Sequence, residues 1–296
     1  MIVPGRARLG QVVFYVGRPL ALLFFWDVLV TIAYFIKGID NRYISFPHLP
    51  LSLLGSAIAI YLAFRNTAAY ARWWEARTLW GAMINYSRSF GREMQTLLPF
   101  EATALQRLLI LRHVAYVHAL RLHLRRQTPW DELAPRLPQD EIARLQQVAN
   151  VPNTILNETA RIIAREASLD SIRLTTIEQT MRELLNAQGG MERIRNTPFP
   201  QQYATYPALF THVFCILLPL GLVESLRIFT PLGSTGVGFL FLALLQIGND
   251  MEHPFSNTAN DVPLTAITRT IEIDLRDSLG EAHELKPVQP EKGVLW

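Results

Sequence analysis

Residues 49–81 join an apolar stretch directly to a segment rich in arginine and tryptophan. The first part reads LPLSLLGSAIAIYLA, and FRNTAAYARWWEARTLWG follows it with no proline or glycine at the junction. Because proline and glycine are the usual interruptions of a helix, the pattern predicts one continuous helix. Such a helix begins in an apolar environment and continues into water, which ties a membrane segment to an aqueous domain.

The composition agrees with a membrane protein that has a substantial aqueous part. Half of the 296 residues are hydrophobic and the mean hydropathy is +0.16, yet 18% of the residues are charged. The net charge of +3 comes mostly from arginine and is too small to indicate nucleic-acid binding. A single cysteine, Cys215, excludes an internal disulfide framework.

Four apolar runs are candidates for membrane-spanning helices, at 20–36, 49–64, 209–228 and 233–248. A spanning helix needs about 20 apolar residues, so each run is marginal alone and could instead form the core of a soluble protein. The runs form two pairs, each with a short linker. This pairing favours four transmembrane helices.

The distribution of arginine predicts how these spans are oriented. Arg6, Arg8 and Arg18 precede the first span, and most other arginines lie between the second and third spans. The positive-inside rule therefore places both regions, and with an even number of spans the C-terminus as well, in the cytoplasm. We expect a multi-pass protein of the cell (inner) membrane.

The predicted organisation is all-α, because no segment shows the period of a strand. Residues 1–64 contain the N-terminal segment and two spans, 65–208 a cytosolic helical domain, 209–248 two more spans, and 249–296 a cytosolic C-terminal segment. In the helical domain, Gly189–Gly190 predicts a helix stop. The tail from Lys286 is expected to be mobile.

Several polar residues have structural and functional interpretations. His113, His118 and His123 recur every five residues, a spacing that distributes them around a helix as surface or interior side chains. His212 and Cys215 are too few for a metal site, so we expect no metal and no cofactor. The remaining candidates are charges inside the apolar runs. These are Asp27, Glu224 and Arg227, of which the last two are expected to pair.

Ser56, Ile60 and Phe64 form a stripe along one face of the second span, at i, i+4 and i+8. In a single helix such a stripe usually indicates core packing. In several copies around a symmetry axis it would form a narrow, largely apolar constriction of the kind that closes by dewetting.

The segment after this stripe resembles the signature of the bestrophin family, and PFPQQYATY and HPF match two further family positions. The resemblance covers nearly the whole chain in order. The matching residues are Arg65, Asn66, Tyr70, Arg72, Glu75, Arg77, Trp80 and Gly81.

The resemblance implies a homopentameric ion channel in the lipid bilayer, with a central pore and a cytosolic vestibule. Carried onto this sequence, Ser56, Ile60 and Phe64 are the neck residues. Ser56 departs from the large apolar residue that is usual there, so we expect a wider and wetter outer neck. We also expect Trp73, Trp74 and Trp80 to lie at the membrane interface or between subunits, and Arg72, Glu75 and Arg77 to form ion pairs one turn apart.

Calcium activation is not expected. Animal members of the family follow their Asn-Pro-Phe with several acidic residues that bind calcium, whereas here HPFSNTANDVPL has only Asp261 after Phe255. Calcium normally requires 6–8 oxygen ligands, including several carboxylates. Asp250 and Glu252 precede the motif and do not replace those residues.

The resemblance leaves the sign of the permeant monovalent ion open. An apolar neck carries no charge, animal and plant relatives conduct anions, and bacterial relatives resemble cation channels. Glu75, three turns beyond Phe64, is a candidate vestibule charge, and we expect monovalent cations such as sodium to permeate, with chloride as the alternative. A structural alternative is that it pairs with Arg72.

One further alternative is a membrane-anchored helical scaffold or enzyme whose cytosolic domain carries the activity. It predicts a monomer and a pocket with converging polar groups. A secondary transporter is disfavoured because no inverted repeat is evident.

Overall fold

The computed structural model describes Met1, residues 15–37 and residues 50–296. Within these residues the regular structure is helical, apart from an isolated β-bridge between Glu291 and Val294. The all-α prediction is therefore confirmed. Arg6 and Arg8, and most of the linker between the first two spans, lie outside the described residues.

Ten α-helices follow one another in the described residues, with a 3₁₀ turn at Arg227–Phe229 between α8 and α9. Their bounds are α1 Gly17–Lys37, α2 Leu51–Thr96, α3 Thr103–Leu124, α4 Trp130–Leu133, α5 Gln139–Leu145, α6 Val151–Glu166, α7 Ser171–Asn196, α8 Gln201–Leu226, α9 Thr230–Glu252 and α10 Leu264–Ser278.

Helix α2 confirms the prediction of an unbroken helix across the junction. It runs for 46 residues, from the apolar run through the arginine- and tryptophan-rich segment. At about 1.5 Å per residue, a helix of this length exceeds the thickness of a bilayer core by more than twofold.

By length and composition, three helical stretches of the described residues could cross a membrane: Gly17–Ile36, Leu51–Thr96 and Gln201–Glu252. The third stretch contains α8 and α9, which turn back on each other at the 3₁₀ turn. The rings of Phe214 and Phe241, one on each helix, lie 4.8 Å apart between centroids. Four separate spans remain a prediction.

The chain divides into two compact units. The unit that we call the hairpin unit contains α1, the first part of α2 to Arg72, and the α8–α9 hairpin with the residues from Pro198 to Glu252. One apolar cluster in it joins α2 to the hairpin through Ile58, Leu62, Phe214, Leu218 and Leu245.

The second unit, which we call the α3 unit, contains Met1, residues 73–197 and residues 253–296. Its centre is α3, whose residues 112–122 are all buried. A helix that is buried on every side must be surrounded by other helices, and here α4, α6, α7 and α10 contact it.

The predicted helix stop at Gly189–Gly190 is wrong, because α7 continues through both glycines to Asn196. A Cβ atom at Gly190 would lie 2.9 Å from a methyl group of Leu79 on α2. The glycine therefore permits close packing of two helices, and this tertiary contact overrides its low helix propensity.

The end of the chain is hydrogen-bonded to other parts of the α3 unit, which differs from the expected mobile tail. The backbone N–H of Ala266 donates to the carbonyl of Trp296 at 2.7 Å, and that of Leu295 donates to the carbonyl of Met1 at 2.8 Å. The mixed composition of the tail did not predict these backbone hydrogen bonds, one of which joins the C-terminal residue to α10.

Candidate pore helix

The exposed face of α2 contains the three residues that were predicted to line a pore. Ile60 and Phe64 are 58% and 64% exposed in the single chain, and Ser56 is exposed as well. The hydroxyl of Ser56 donates to the carbonyl of Ser52 at 2.8 Å, so its proton is used within the helix. The hydroxyl oxygen of Ser56 remains able to accept hydrogen bonds from solvent.

This face stays uncharged for about three helical turns beyond Phe64, up to Glu75. The residues classed as exposed between Ser52 and Thr78 are all apolar, aromatic or hydroxyl-bearing. Thr67 and Thr78 donate their hydroxyl protons to the carbonyls of Ala63 and Trp74, each at 2.9 Å. The face therefore offers few strong polar groups to an ion or to water.

The opposite face of α2 is packed and carries a buried ion pair. Arg65 is 1% exposed, and its Nη2 donates to the carboxylate of Glu252 at 2.9 Å and to the side-chain oxygen of Asn249 at 2.7 Å. Its Nη1 lies 3.4 Å from the carbonyl oxygen of Leu245. Arg65 thus joins α2 to the last two turns of α9.

The neighbouring signature residues make contacts of the same kind. Asn66 donates to the carbonyl of Leu244 at 2.9 Å, and Nε of Arg72 donates to the carbonyl of Glu252 at 2.8 Å. The guanidinium of Arg72 also lies 5.8 Å from the ring centroid of Phe199, a cation–π arrangement. These residues therefore fix α2 within the hairpin unit.

Gly248 is the position on α9 that allows this approach. A Cβ atom added there would overlap the side-chain oxygen of Asn66 and a guanidinium nitrogen of Arg65. The Arg65 nitrogen donates to the carbonyl of Leu245 and the amide nitrogen of Asn66 donates to the carbonyl of Leu244, so both side chains have little freedom to move away. Gly248, Asn249 and Glu252 were not predicted as partners of the signature residues, although their spacing on one helix face was a usable signal.

The remaining signature residues differ in their surroundings. Tyr70 is 51% exposed, whereas Trp80 is completely buried in the core of the α3 unit. A Cβ atom on Gly81 would lie 3.4 Å from a guanidinium nitrogen of Arg77, which is an ordinary van der Waals contact.

The interfacial role that was predicted for the three tryptophans does not hold for Trp80 and stays a prediction for Trp73 and Trp74. Trp80 is buried in the interior of one subunit. Trp73 donates its indole N–H to the carbonyl of Asn260 at 3.0 Å. Trp74 is the exposed member of the three, at 55%. The prediction for Trp80 is wrong because tertiary packing surrounds the ring within one chain.

Glu75 pairs with a residue from another helix. Its Oε1 accepts a hydrogen bond from Nη2 of Arg193 on α7 at 2.5 Å, and the two side chains are 45% and 67% exposed. Arg193 is 118 residues away in sequence. Pairing with Arg72 along the helix was the expected alternative, and no local pattern could have identified Arg193.

The charges within the apolar runs have different surroundings. Asp27 is fully buried, and its two carboxylate oxygens accept hydrogen bonds from Ser234 at 3.0 Å and Thr235 at 2.7 Å. Within the described residues, no ion pair forms between Glu224 and Arg227, so that prediction is wrong. Helix α8 ends at Leu226, and the backbone of Arg227 has a positive φ of 48°, which directs the chain away from the last turn of the helix.

The three histidines of α3 have different environments. Burial lowers the pKa of His113 to about 3, so this ring is neutral, and it lies 2.9 Å from the hydroxyl of Ser87. The ring nitrogens of His118 lie 2.6 Å and 3.0 Å from carboxylate oxygens of Glu132 and Glu272. The hydrogen bond from His118, with the help of Arg121, lowers the pKa of the Glu132 carboxyl to about 2.

Two other polar positions have local structural partners. His123 lies 3.7 Å from Glu192, and Nδ1 of His212 lies 2.6 Å from the carbonyl oxygen of Ala208. The described residues contain no group of three or more potential ligands that is suited to a metal ion.

The loop that follows Phe255 contains Asp261, the single carboxylate on which the prediction of no calcium activation depends. Asp261 is 3% exposed and accepts hydrogen bonds from the backbone N–H and the hydroxyl of Thr258, at 3.1 Å and 2.5 Å. Burial raises the pKa of the Asp261 carboxyl despite these bonds. The side chain closes its own loop, a role that a single carboxylate fulfils without an ion.

These observations define an all-helical membrane protein in which the first half of a long helix has a largely apolar exposed face and a packed face with a buried ion pair. A family model of bacterial and fungal bestrophins matches residues 6–277. The chain belongs to the bestrophin family, and the resemblance inferred from the signature is confirmed.

Relatives of known sequence cover most of the chain. The voltage-dependent anion channel-forming protein RSc3414 of Ralstonia nicotianae is 40% identical over 237 residues, which are 78% of this chain and 77% of that protein. The voltage-dependent anion channel-forming protein YneE of Escherichia coli K12 is 34% identical over 286 residues, covering 96% and 93% of the two chains.

A solved structure shows the same fold. The crystal structure of a bacterial bestrophin homologue from Klebsiella pneumoniae is 34% identical, with a TM-score of 0.83, and the match covers 90% of this chain and 98% of that one. At this level of identity the helical architecture is shared over the matched residues.

Proposed function

We propose that this chain is the subunit of a homopentameric ion channel in which α2 lines an apolar neck at Ser56, Ile60 and Phe64. The observation that carries the proposal is the difference between the two faces of α2. One face is fixed by the signature residues, and the other presents large apolar side chains that the single chain leaves exposed. Five copies around an axis would bring those exposed side chains together.

An apolar neck of this kind controls permeation through wetting. A narrow passage without charged or strongly polar groups excludes water, and ions that would have to shed their hydration shells pass only when it widens. Ile60 and Phe64 supply this apolar lining. Ser56 is the exception, and its oxygen would keep the outer end of the neck wetter.

The family and the names of the relatives support a channel, and the sign of the permeant ion is a separate proposal. RSc3414 and YneE are named as anion channel-forming proteins. The candidate for cation preference in this chain was Glu75, whose carboxylate has Arg193 as its counter-ion. We therefore propose conduction of monovalent ions through a neck without its own charge preference.

Calcium independence is part of the same proposal. The loop after Phe255 offers Asp261 alone, and its two carboxylate oxygens already accept hydrogen bonds from Thr258. Currents that appear only on addition of micromolar calcium would contradict this point.

The orientation that we propose places both termini and the α3 unit in the cytoplasm of the cell, with the α8–α9 turn outside. Reporter fusions at each terminus and a cysteine-labelling scan of Arg227–Phe229 test it. Labelling of the turn from the cytoplasmic side would contradict it.

The direct test uses the purified chain in two steps. Its mass in detergent should be about five times the 33.7 kDa of one chain, whereas the alternative scaffold or enzyme predicts a monomer. In planar bilayers it should conduct sodium and chloride salts, and replacing Phe64 with alanine should raise the conductance. A pentamer without current, or a current that is insensitive to Phe64, would overturn the proposed neck.

A further inference from the structure

The Glu75–Arg193 ion pair joins the middle of α2 to the last turn of α7. Its two charged atoms are 2.5 Å apart, and both side chains remain in contact with solvent, 45% and 67% exposed. Exposed pairs of this kind contribute little to stability. Their charges still act on any ion that passes nearby, because an exposed charge is felt within about a Debye length.

Helix packing, and not the pair itself, brings these two residues together. Helix α7 lies antiparallel to α2, with Thr180 donating to Glu93 at 2.8 Å near one end and Gly190 packed against Leu79 near the other. The last turn of α7, which contains Arg193, therefore lies beside Glu75. Substituting either charged side chain should leave this packing in place.

The register of α2 relates Glu75 to the proposed neck. Glu75 follows Phe64 by eleven residues, which is three helical turns plus about 20°, so both residues lie on the same face. The exposed residues of α2 between them are uncharged. Along this face, Glu75 and its partner are the first charges that an ion would meet beyond Phe64.

We infer that the Glu75–Arg193 pair determines the ion preference of the channel by cancelling two opposite rings of charge. This inference rests on the proposed function. In the assembled channel, five carboxylates and five guanidiniums would lie at one level of the vestibule. With each pair intact, the summed field at that level is small and the channel discriminates weakly between sodium and chloride.

Removing one member of the pair should expose the charge of the other. Arg193→Gln leaves a ring of carboxylates that attracts cations, and Glu75→Gln leaves a ring of guanidiniums that attracts anions. A ring of like charges creates a potential on the order of kT or more, so the sodium-to-chloride permeability ratio should change at least about threefold in each case. The two changes have opposite signs.

The experiment measures reversal potentials in planar bilayers under a gradient of sodium chloride. We expect the wild type to reverse near zero, Arg193→Gln to shift toward the sodium potential and Glu75→Gln toward the chloride potential. The double variant should return to the wild-type value. All shifts should shrink in 1 M salt, where the Debye length is about 3 Å.

Two control variants separate charge from structure. Arg193→Lys keeps the charge and should leave the reversal potential unchanged. Arg144→Gln removes the guanidinium of another exposed pair, with Asp140 on α5 at 3.6 Å, and should also have no effect.

The outcomes distinguish the inference from the proposed function. Currents with the same reversal potential in the wild type and both single variants would overturn the inference and leave the channel intact. A shift of equal sign in both single variants would overturn it as well. Absence of any current in the wild type would instead refute the proposed function.

Discussion

The two faces of the first half of α2 differ in almost every physical property. On one face Leu62 and Arg65 are essentially completely buried, and the guanidinium of Arg65 has hydrogen-bond partners on α9. On the other, Ile60 and Phe64 expose more than half of their surface. Residues two positions apart on one helix therefore belong to different environments.

This difference separates the residues that build the subunit from those that we propose to act on ions. The signature residues Arg65, Asn66 and Arg72 are polar, which at first suggests a functional surface, yet their contacts are structural. The exposed residues are apolar, which in a soluble protein would be unfavourable. In a channel, apolar residues on an axis would form the constriction.

The largest expected effect comes from breaking the buried ion pair. Arg65→Gln removes the guanidinium of Arg65 from the buried carboxylate of Glu252, and loss of one partner of a buried pair costs about 3–5 kcal/mol. Unfolding in detergent, followed by helical circular dichroism, measures the loss. Arg88→Gln is the control, because its pair with Asp274 at 2.7 Å is exposed and should contribute about 0–1 kcal/mol. Equal losses in the two variants would contradict the structural role of Arg65.

The next effect tests how closely α2 approaches α9. In Gly248→Ala the new methyl group collides with Arg65 and Asn66, and overpacking of this kind costs about 1–3 kcal/mol. Gly236→Ala on the same helix is the matched control, since a Cβ atom there meets nothing within 4 Å. The control should be neutral or slightly stabilising in the same unfolding assay. Destabilisation of both variants by similar amounts would show that helix flexibility matters more than the contact.

A smaller effect on stability and a large one on permeation are expected on the exposed face. Phe64→Ala should change the free energy of unfolding of the subunit by less than about 0.5 kcal/mol and raise the single-channel conductance. Leu62→Ala, two residues away and fully buried, should cost about 2–5 kcal/mol. Paired measurements of unfolding and conductance compare the two faces directly. If Phe64→Ala were as destabilising as Leu62→Ala, the side chain would be a packing residue.

The smallest expected effect is at the outer end of the stripe. Ser56→Ile restores a large apolar residue and should lower the conductance with little change in stability. Ser56→Ala removes the hydroxyl without adding bulk, so a reduced conductance in this variant would indicate wetting and an unchanged one would indicate width. Unchanged conductance in Ser56→Ile would remove Ser56 from the neck.

The all-helical class, the continuation of α2 across the junction at Phe64 and the family were accessible from the sequence. These conclusions depend on local patterns, namely the apolar runs, the absence of a break at the junction and the spacing of the signature residues. Local patterns determine local structure because helix propensity and the solvent preference of each side chain act over a few residues.

The partners of the polar residues were decided by tertiary structure alone. Arg193 reaches Glu75 from 118 residues away, and Arg65 reaches Glu252 from 187 residues away, so no neighbouring sequence identifies either pair. The continuation of α7 through Gly189–Gly190 and the burial of Trp80 arise in the same way. Packing brings distant segments together, and the contacts it creates outweigh the weak preferences of single residues.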